Sequence, residues 1–269
     1  MGMSRWMALV VLVAAGRVLG QDERPKFSLP EPQKEERRPA GTFTITELLY
    51  QITGQEDRFP TAIPELGRFF KGVSADKKIE TALNWNQLSA DNPGLKQTTL
   101  LYMTGNTALL QFSEAQKTGL GEYLKGGGLL FVDEIRSSTG DGGLGGRGAG
   151  VEGTPFDRQF KALLKDPLVL GESGARWERI PKNHPLYATC FDFPDGPPMG
   201  GAPGGNVREL EMLELRGRVA VIFSDLNISW YWGDHLADSR ERGLQFGVNL
   251  LVFAMTQRAV GPALRPGTL

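Results

Sequence analysis

The sequence predicts an α/β fold: a three-layer α/β/α domain with a mostly parallel sheet and an antiparallel hairpin in its C-terminal half. Three observations predict it. Short β-branched or apolar runs alternate with segments whose apolar residues recur at helical spacing, as in strands joined by crossover helices. Two of these runs, 98–103 (TTLLYM) and 129–132 (LLFV), are strand-like and almost wholly apolar, as expected of strands covered on both faces. Late in the chain, two strand-like stretches flank Arg216-Gly217, the arrangement of a hairpin.

Residues 1–20 read as a secretory signal. Arg5 supplies the positive start, residues 7–16 (MALVVLVAAG) the apolar run, and Val18 and Gly20 the small-residue cleavage site before Gln21. The run falls short of the roughly 20 residues a membrane span needs, so the expectation is an exported protein, periplasmic or extracellular, with no stable membrane span after cleavage. Residues 21–41 read as a disordered linker, rich in Pro (Pro25, Pro30, Pro32, Pro39) and in charges of both signs. Such a stretch buries too little apolar surface to offset its ordering entropy. Residues 42–258 form the single domain, and 259–269 a short tail.

Within the domain, 42–50 (TFTITELLY) reads as a first strand. Residues 59–72 read as a helix with Ile63, Leu66, Phe69 and Phe70 on one face, and 78–83 as a weak second strand. Ser113 caps a helix that runs to Lys125 and stops at Gly126. Thr154 and Pro155 open another, ending near Lys165. Residues 176–180 form a short strand, and 207–215 and 218–223 the hairpin. Residues 240–257 form the longest helix, striped by Leu244, Val248, Leu251 and Met255.

Composition excludes several classes. A net charge of -1 argues against nucleic-acid binding. The lone Cys190 removes disulfide frameworks, CxxC redox motifs and cysteine zinc sites. Glycine is enriched, 35 of 269 residues, against a usual share of about 7 %. Part of the excess sits in 126–153, which contains Gly143-Leu-Gly145-Gly-Arg-Gly148, a match to the dinucleotide fingerprint. That fingerprint works as a tight turn from a strand directly into a helix; here the nearest helix starts only at Thr154, so the match reads as a loop and no cofactor is expected.

In a parallel sheet, ligands bind beyond the C-terminal ends of the strands. That rule selects Thr104, Gly105 and Asn106 after one strand, Asp133 and Glu134 after the next, and Ser224 and Asp225 after the last. Asp133 and Glu134 stand where such enzymes place a working carboxylate; capping of nearby backbone is the plainer alternative. His184 and His235 are the only histidines. With Asp133 and Asp225 they form the candidate catalytic set, but no H-x-x-x-H spacing points to a metal. Trp230 and Trp232 lie beside Asp225, Asn227 and Asp234, an aromatic–acid cluster of the kind that holds sugars, or one that pins a loop to the core. No G-x-S-x-G occurs, which disfavours a serine acyl-enzyme.

Four segments carry a resemblance: Leu101-Tyr-Met-Thr-Gly105; Tyr123-Leu-Lys-Gly-Gly-Gly-Leu-Leu-Phe-Val-Asp133; His184-Pro-Leu-Tyr187 running on to Asp192-Phe-Pro194; and Gly247-Val-Asn-Leu-Leu-Val-Phe-Ala254. In this order and spacing they resemble an uncharacterised bacterial domain-of-unknown-function family grouped with class I glutamine amidotransferase-like, flavodoxin-like folds. The resemblance implies a three-layer domain in envelope or exported proteins and no established reaction. The amidotransferase nucleophile is a Cys at the turn after a central strand; this chain has none after Met103 or Val132. The expectation is therefore a non-catalytic envelope domain that binds a small molecule, such as a carbohydrate or cell-wall fragment, or an envelope protein. The alternative is a hydrolase using Asp133 with His184 or His235, with or without a metal.

Overall fold

The computed structural model describes residues 41–53, 60–79, 81–105, 109–135, 153–198, 207–233 and 239–260. The signal, linker residues 21–40, the fingerprint match and tail residues 261–269 lie outside them; Gly41 belongs to the first strand and 259–260 to the last helix.

The strands are β1 (Gly41–Leu49), β2 (Gln51–Thr53), β3 (Thr81–Ser89), β4 (Leu100–Gly105), β5 (Leu109–Gln111), β6 (Leu129–Glu134), β7 (Trp177–Arg179), β8 (Glu211–Leu215) and β9 (Arg218–Ser224). The helices are α1 (Ala62–Asp76), α2 (Glu114–Lys125), α3 (Pro155–Lys165), α4 (Trp230–Gly233) and α5 (Arg240–Val260). Seven strands form one sheet in the order β3-β1-β4-β6-β9-β8-β7. From β3 to β9 every neighbouring pair is parallel, while β8 runs antiparallel to both β9 and β7. Taken in chain order, the five parallel strands lie as 2-1-3-4-5.

The α/β class, the parallel sheet and the late hairpin are as the sequence predicts. The hairpin turns through Arg216 (φ 55°) and Gly217 (φ 75°), two positive-φ residues whose twist matches that of the flanking strands. Its second strand, β9, is an inner strand, so the antiparallel edge consists of β8 and β7 alone. Three expected boundaries are corrected: the first helix spans 62–76 instead of 59–72, the first hairpin strand 211–215 instead of 207–215, and the second strand 81–89 instead of 78–83. Asn84, Asn86 and Gln87 disguise it, being poor strand formers. It forms because all nine of its residues pair with β1, and Thr46 Oγ1 donates to Asn86 Oδ1 at 2.7 Å. The small antiparallel pair β2–β5 was not expected.

Two apolar clusters lie on the two faces of the sheet. On one, Phe43, Ile45, Leu100, Tyr102, Leu129 and Phe131 meet α1 and α5. On the other, Leu101, Met103, Leu130, Val132 and Phe223 meet α2 and α3. Both expected caps form. Ser113 Oγ accepts from Gln116 N–H in a capping box, and Thr154 Oγ1 accepts from Asp157 N–H at 3.1 Å. No helix among the described residues is long and apolar enough to cross a membrane.

Candidate functional site

Register aligns the strand ends. Thr104 pairs with Asp133 and Asp133 with Ser224, so three polar residues form one row across β4, β6 and β9; Gly105 and Glu134 begin the next. Successive residues of a strand point to opposite faces. The two rows therefore build two separate polar centres.

The first centre faces α1 and α5. Asp133 is fully buried, and its Oδ2 accepts from both the N–H and the Oγ–H of Ser229 at 2.6 Å. Its Oδ1 has no hydrogen-bond partner among the described residues. Burial pushes the Asp133 carboxyl up to about 6, outweighing the hydrogen bonds from Ser229, which favour the ion. Tyr102 lies beside it, its phenol held well above the ordinary range by burial and then by the Asp133 charge. Behind Tyr102 and Phe131 sits Trp232, with ring centroids 5.5 and 5.7 Å away.

The second centre faces α2 and α3. Glu134 accepts from Thr154 Oγ1 at 2.7 Å and shares a hydrogen bond with Asp225. Asp225 is 5 % exposed; burial, then the charges of Glu134 and Asp157, push its carboxyl up to about 9. Glu134 and Asp225 thus behave as a pair holding one proton between them. Asp157 accepts from Gly153 N–H at 2.8 Å and pairs with Lys161 Nζ at 2.8 Å. Lys161 also reaches Glu211 at 2.5 Å and lies over the Trp177 and Phe223 rings. Burial disfavours its charge, but hydrogen bonds and charges from Asp157 and Glu211 win, holding its pKa above the ordinary value. Thr154 links helix to sheet, accepting from α3 and donating to Glu134.

The predicted residues are therefore divided. Glu134 and Asp225 come together; Asp133 stands back to back with them across the sheet. Thr104 is buried, and its carbonyl accepts from Tyr50 Oη at 2.5 Å. Gly105 lies under the Phe156 ring, where an added Cβ would fall 2.0 Å from a ring carbon; close packing explains this glycine. Trp232 is 1 % exposed and its indole N–H donates to the Gly243 carbonyl at 2.8 Å, so packing occupies the ring. Trp230 is half-buried against Tyr231. His184 caps a short 3-10 turn, its Nδ1 accepting from Leu186 N–H, and lies edge-on to Phe253. Phe253 is one turn before Gln257, which bonds Val219 at the start of β9. His184 thus lies toward the N-terminal ends of the strands, away from Asp133. Asn106 and His235 lie outside the described residues.

A family model described as Domain of unknown function (DUF4159) matches residues 44–255. The chain belongs to the DUF4159 family. A comparison with the curated proteins finds no match. The matched span of the DUF4159 domain holds every element from β1 to most of α5, and both polar centres with it. Sequence reasoning missed Ser229, Tyr102, Asp157 and Lys161 in these centres. Asp157 and Lys161 are four apart on α3, a spacing that puts them on one helix face, and that was the available signal. Among the described residues of the DUF4159 domain, no group of three or more His, Cys, Asp or Glu side chains is placed to hold a metal.

Proposed function

We propose that this DUF4159 chain is an exported envelope domain, periplasmic or secreted, that binds a ligand or protein at the C-terminal ends of β4, β6 and β9 without turning it over. The observation that carries the reading is the fixed state of the acids there. Asp133 is held by Ser229, Glu134 by Thr154 and Asp157 by Gly153 and Lys161. Groups so engaged give the described part of the rim a rigid floor. The apolar run and cleavage pattern of residues 1–20 support export. The parallel order 2-1-3-4-5 supports a flavodoxin-like, amidotransferase-like architecture. Carbohydrate and cell-wall fragments are the ligand classes to try first, with Trp230 as the remaining aromatic candidate.

One observation favours the second reading, a hydrolase. Buried carboxyls with raised pKa values, such as Asp133, are what general acids require. Of its histidine partners, His184 sits at the far end of the sheet, which leaves His235. The test is thermal denaturation of the purified chain against soluble glycan and peptidoglycan fragments, with product analysis. Binding predicts a raised Tm without products. Turnover that Asp133→Asn abolishes while the fold is kept would establish the hydrolase instead. Sequencing the N-terminus of the protein made in an exporting host checks the signal; Gln21 is the expected first residue.

A further inference from the structure

The end of the sheet opposite the proposed site holds a cleft of about 630 Å³, lined by Lys96, Lys125, Arg216 and Arg218 over a floor that includes Tyr123 and Gly126–Gly128. We propose that this cleft binds a ligand through phosphate groups.

The cleft is assembled where β4, β6 and β9 begin. Thr98 and Thr99 precede β4, Gly126–Gly128 precede β6, and Arg218 opens β9. Its cations come from three separate stretches of chain, a convergence that no local sequence pattern imposes. Among the described residues Glu122 is the only acid in the lining, and it pairs with Lys96 at 3.2 Å. Lys125, Arg216 and Arg218 have no carboxylate partner among the described residues. The cleft therefore carries a surplus of positive charge on a chain whose net charge is -1.

The plainer explanation is that these cations offset the C-terminal end of α2. That end is worth only about half a negative charge. Three of its last four carbonyls are already satisfied, because Gly126 N–H donates to Glu122, Gly127 N–H to Leu124 and Gly128 N–H to Tyr123. Three uncompensated cations exceed what one capped helix end requires. The glycine floor has its own reason. Gly127 adopts φ +99°, and a Cβ there would fall 2.0 Å from Arg218 Nη2, so the bare backbone makes room for the guanidinium. Gly128 in turn lies against the Tyr123 ring.

The chemistry fits phosphate better than carboxylate. Two guanidinium groups offer paired donors and two ammonium groups act as point charges, the usual combination for phosphate oxygens. A phosphate monoester carries about −1.5 to −2 at pH 7, which matches the surplus more closely than a single carboxylate. The volume falls within the roughly 300–1,000 Å³ of small-molecule sites.

The test is calorimetric titration of the full-length chain with inorganic pyrophosphate at low and high salt, with co-sedimentation on phosphatidylglycerol vesicles as a second arm. The variants are Arg216→Gln/Arg218→Gln and, should that pair fail to fold, Lys96→Gln/Lys125→Gln. Arg179→Gln, outside the cleft and paired with Glu209, is the control. The expected result is saturable pyrophosphate binding, weakened at least tenfold by the cleft variants and by salt, and unchanged in the control. Vesicle binding that pyrophosphate displaces and the variants lose would make the source a lipid headgroup; pyrophosphate binding without vesicle binding would make it a soluble phosphate. No binding in either arm, or binding that the cleft variants retain, overturns the proposal.

Discussion

Asp133→Asn tests the electrostatics of the first polar centre. Asp133 is fully buried, with one oxygen bonded twice by Ser229 and the other without a partner among the described residues. Its carboxyl stands at about 6 against an ordinary 3.8. The sign follows from proton counting. Between about pH 4 and pH 6 the folded protein keeps a proton that the unfolded chain has released, so stability falls as pH rises through that window and is level above it. At 1.36 kcal/mol per factor of ten, the loss is about 3 kcal/mol. Asparagine has the same shape and does not ionise. Part of that loss has already occurred at pH 4, so the variant should gain on the wild type by about 2.5 kcal/mol between pH 4 and pH 7, a relative Tm gain of about 5–10 °C for a domain of this size. Asp225 titrates in both proteins and cancels in the difference. Urea denaturation of both at unit steps from pH 4 to pH 8 measures it. A pH-independent difference, or a wild type that gains on the variant as pH rises, would refute the reasoning, because the Ser229 bonds would then outweigh burial.

Four further outcomes are expected. Gly105→Ala drives a methyl into the Phe156 ring and should cost about 1–3 kcal/mol as an overpacked core; chemical denaturation should show that adding Phe156→Leu recovers part of it. Lys161→Met leaves Asp157 and Glu211 without their shared cation and should cost about 3–5 kcal/mol in urea denaturation. Thr154→Val removes both the cap of α3 and the donor to Glu134; a loss of about 1–2 kcal/mol is expected, whereas Thr154→Ser should stay near wild type in the same melts. Asn249 accepts from Cys190 and Phe191 N–H and donates to the carbonyls of Leu186 and Phe191. Asn249→Leu should therefore speed amide exchange at Cys190 and Phe191 well before the strands exchange.

The elements most legible in the sequence were those whose signal is local. Ser113 and Thr154 announce helix starts because capping is settled within four residues. The apolar runs that open β4 (Leu100–Met103) and β6 (Leu129–Val132) announce burial on both faces. Arg216-Gly217 announces a turn. The strand of Asn84 and Asn86 was misjudged because its stability comes from β1, far away in sequence. Trp232 illustrates the same limit: a tryptophan among acids reads as core or as a sugar platform, and the neighbouring Tyr102 and Phe131 rings settle it as core.

What the sequence by itself determined was the α/β class, the alternation of elements and the clustering of acids at strand ends. These follow from periodicity and from local hydrogen bonding. What only the tertiary structure decided was how those acids are grouped. Asp133, Glu134 and Asp225 look like one constellation along the chain, but the two-residue period of β6 sends Asp133 to Ser229 and Glu134 to Asp225 on the opposite face. The basic cleft was equally invisible. Its cations lie on stretches up to about 120 residues apart and meet because parallel strands bring all their N-terminal ends to one edge of the sheet.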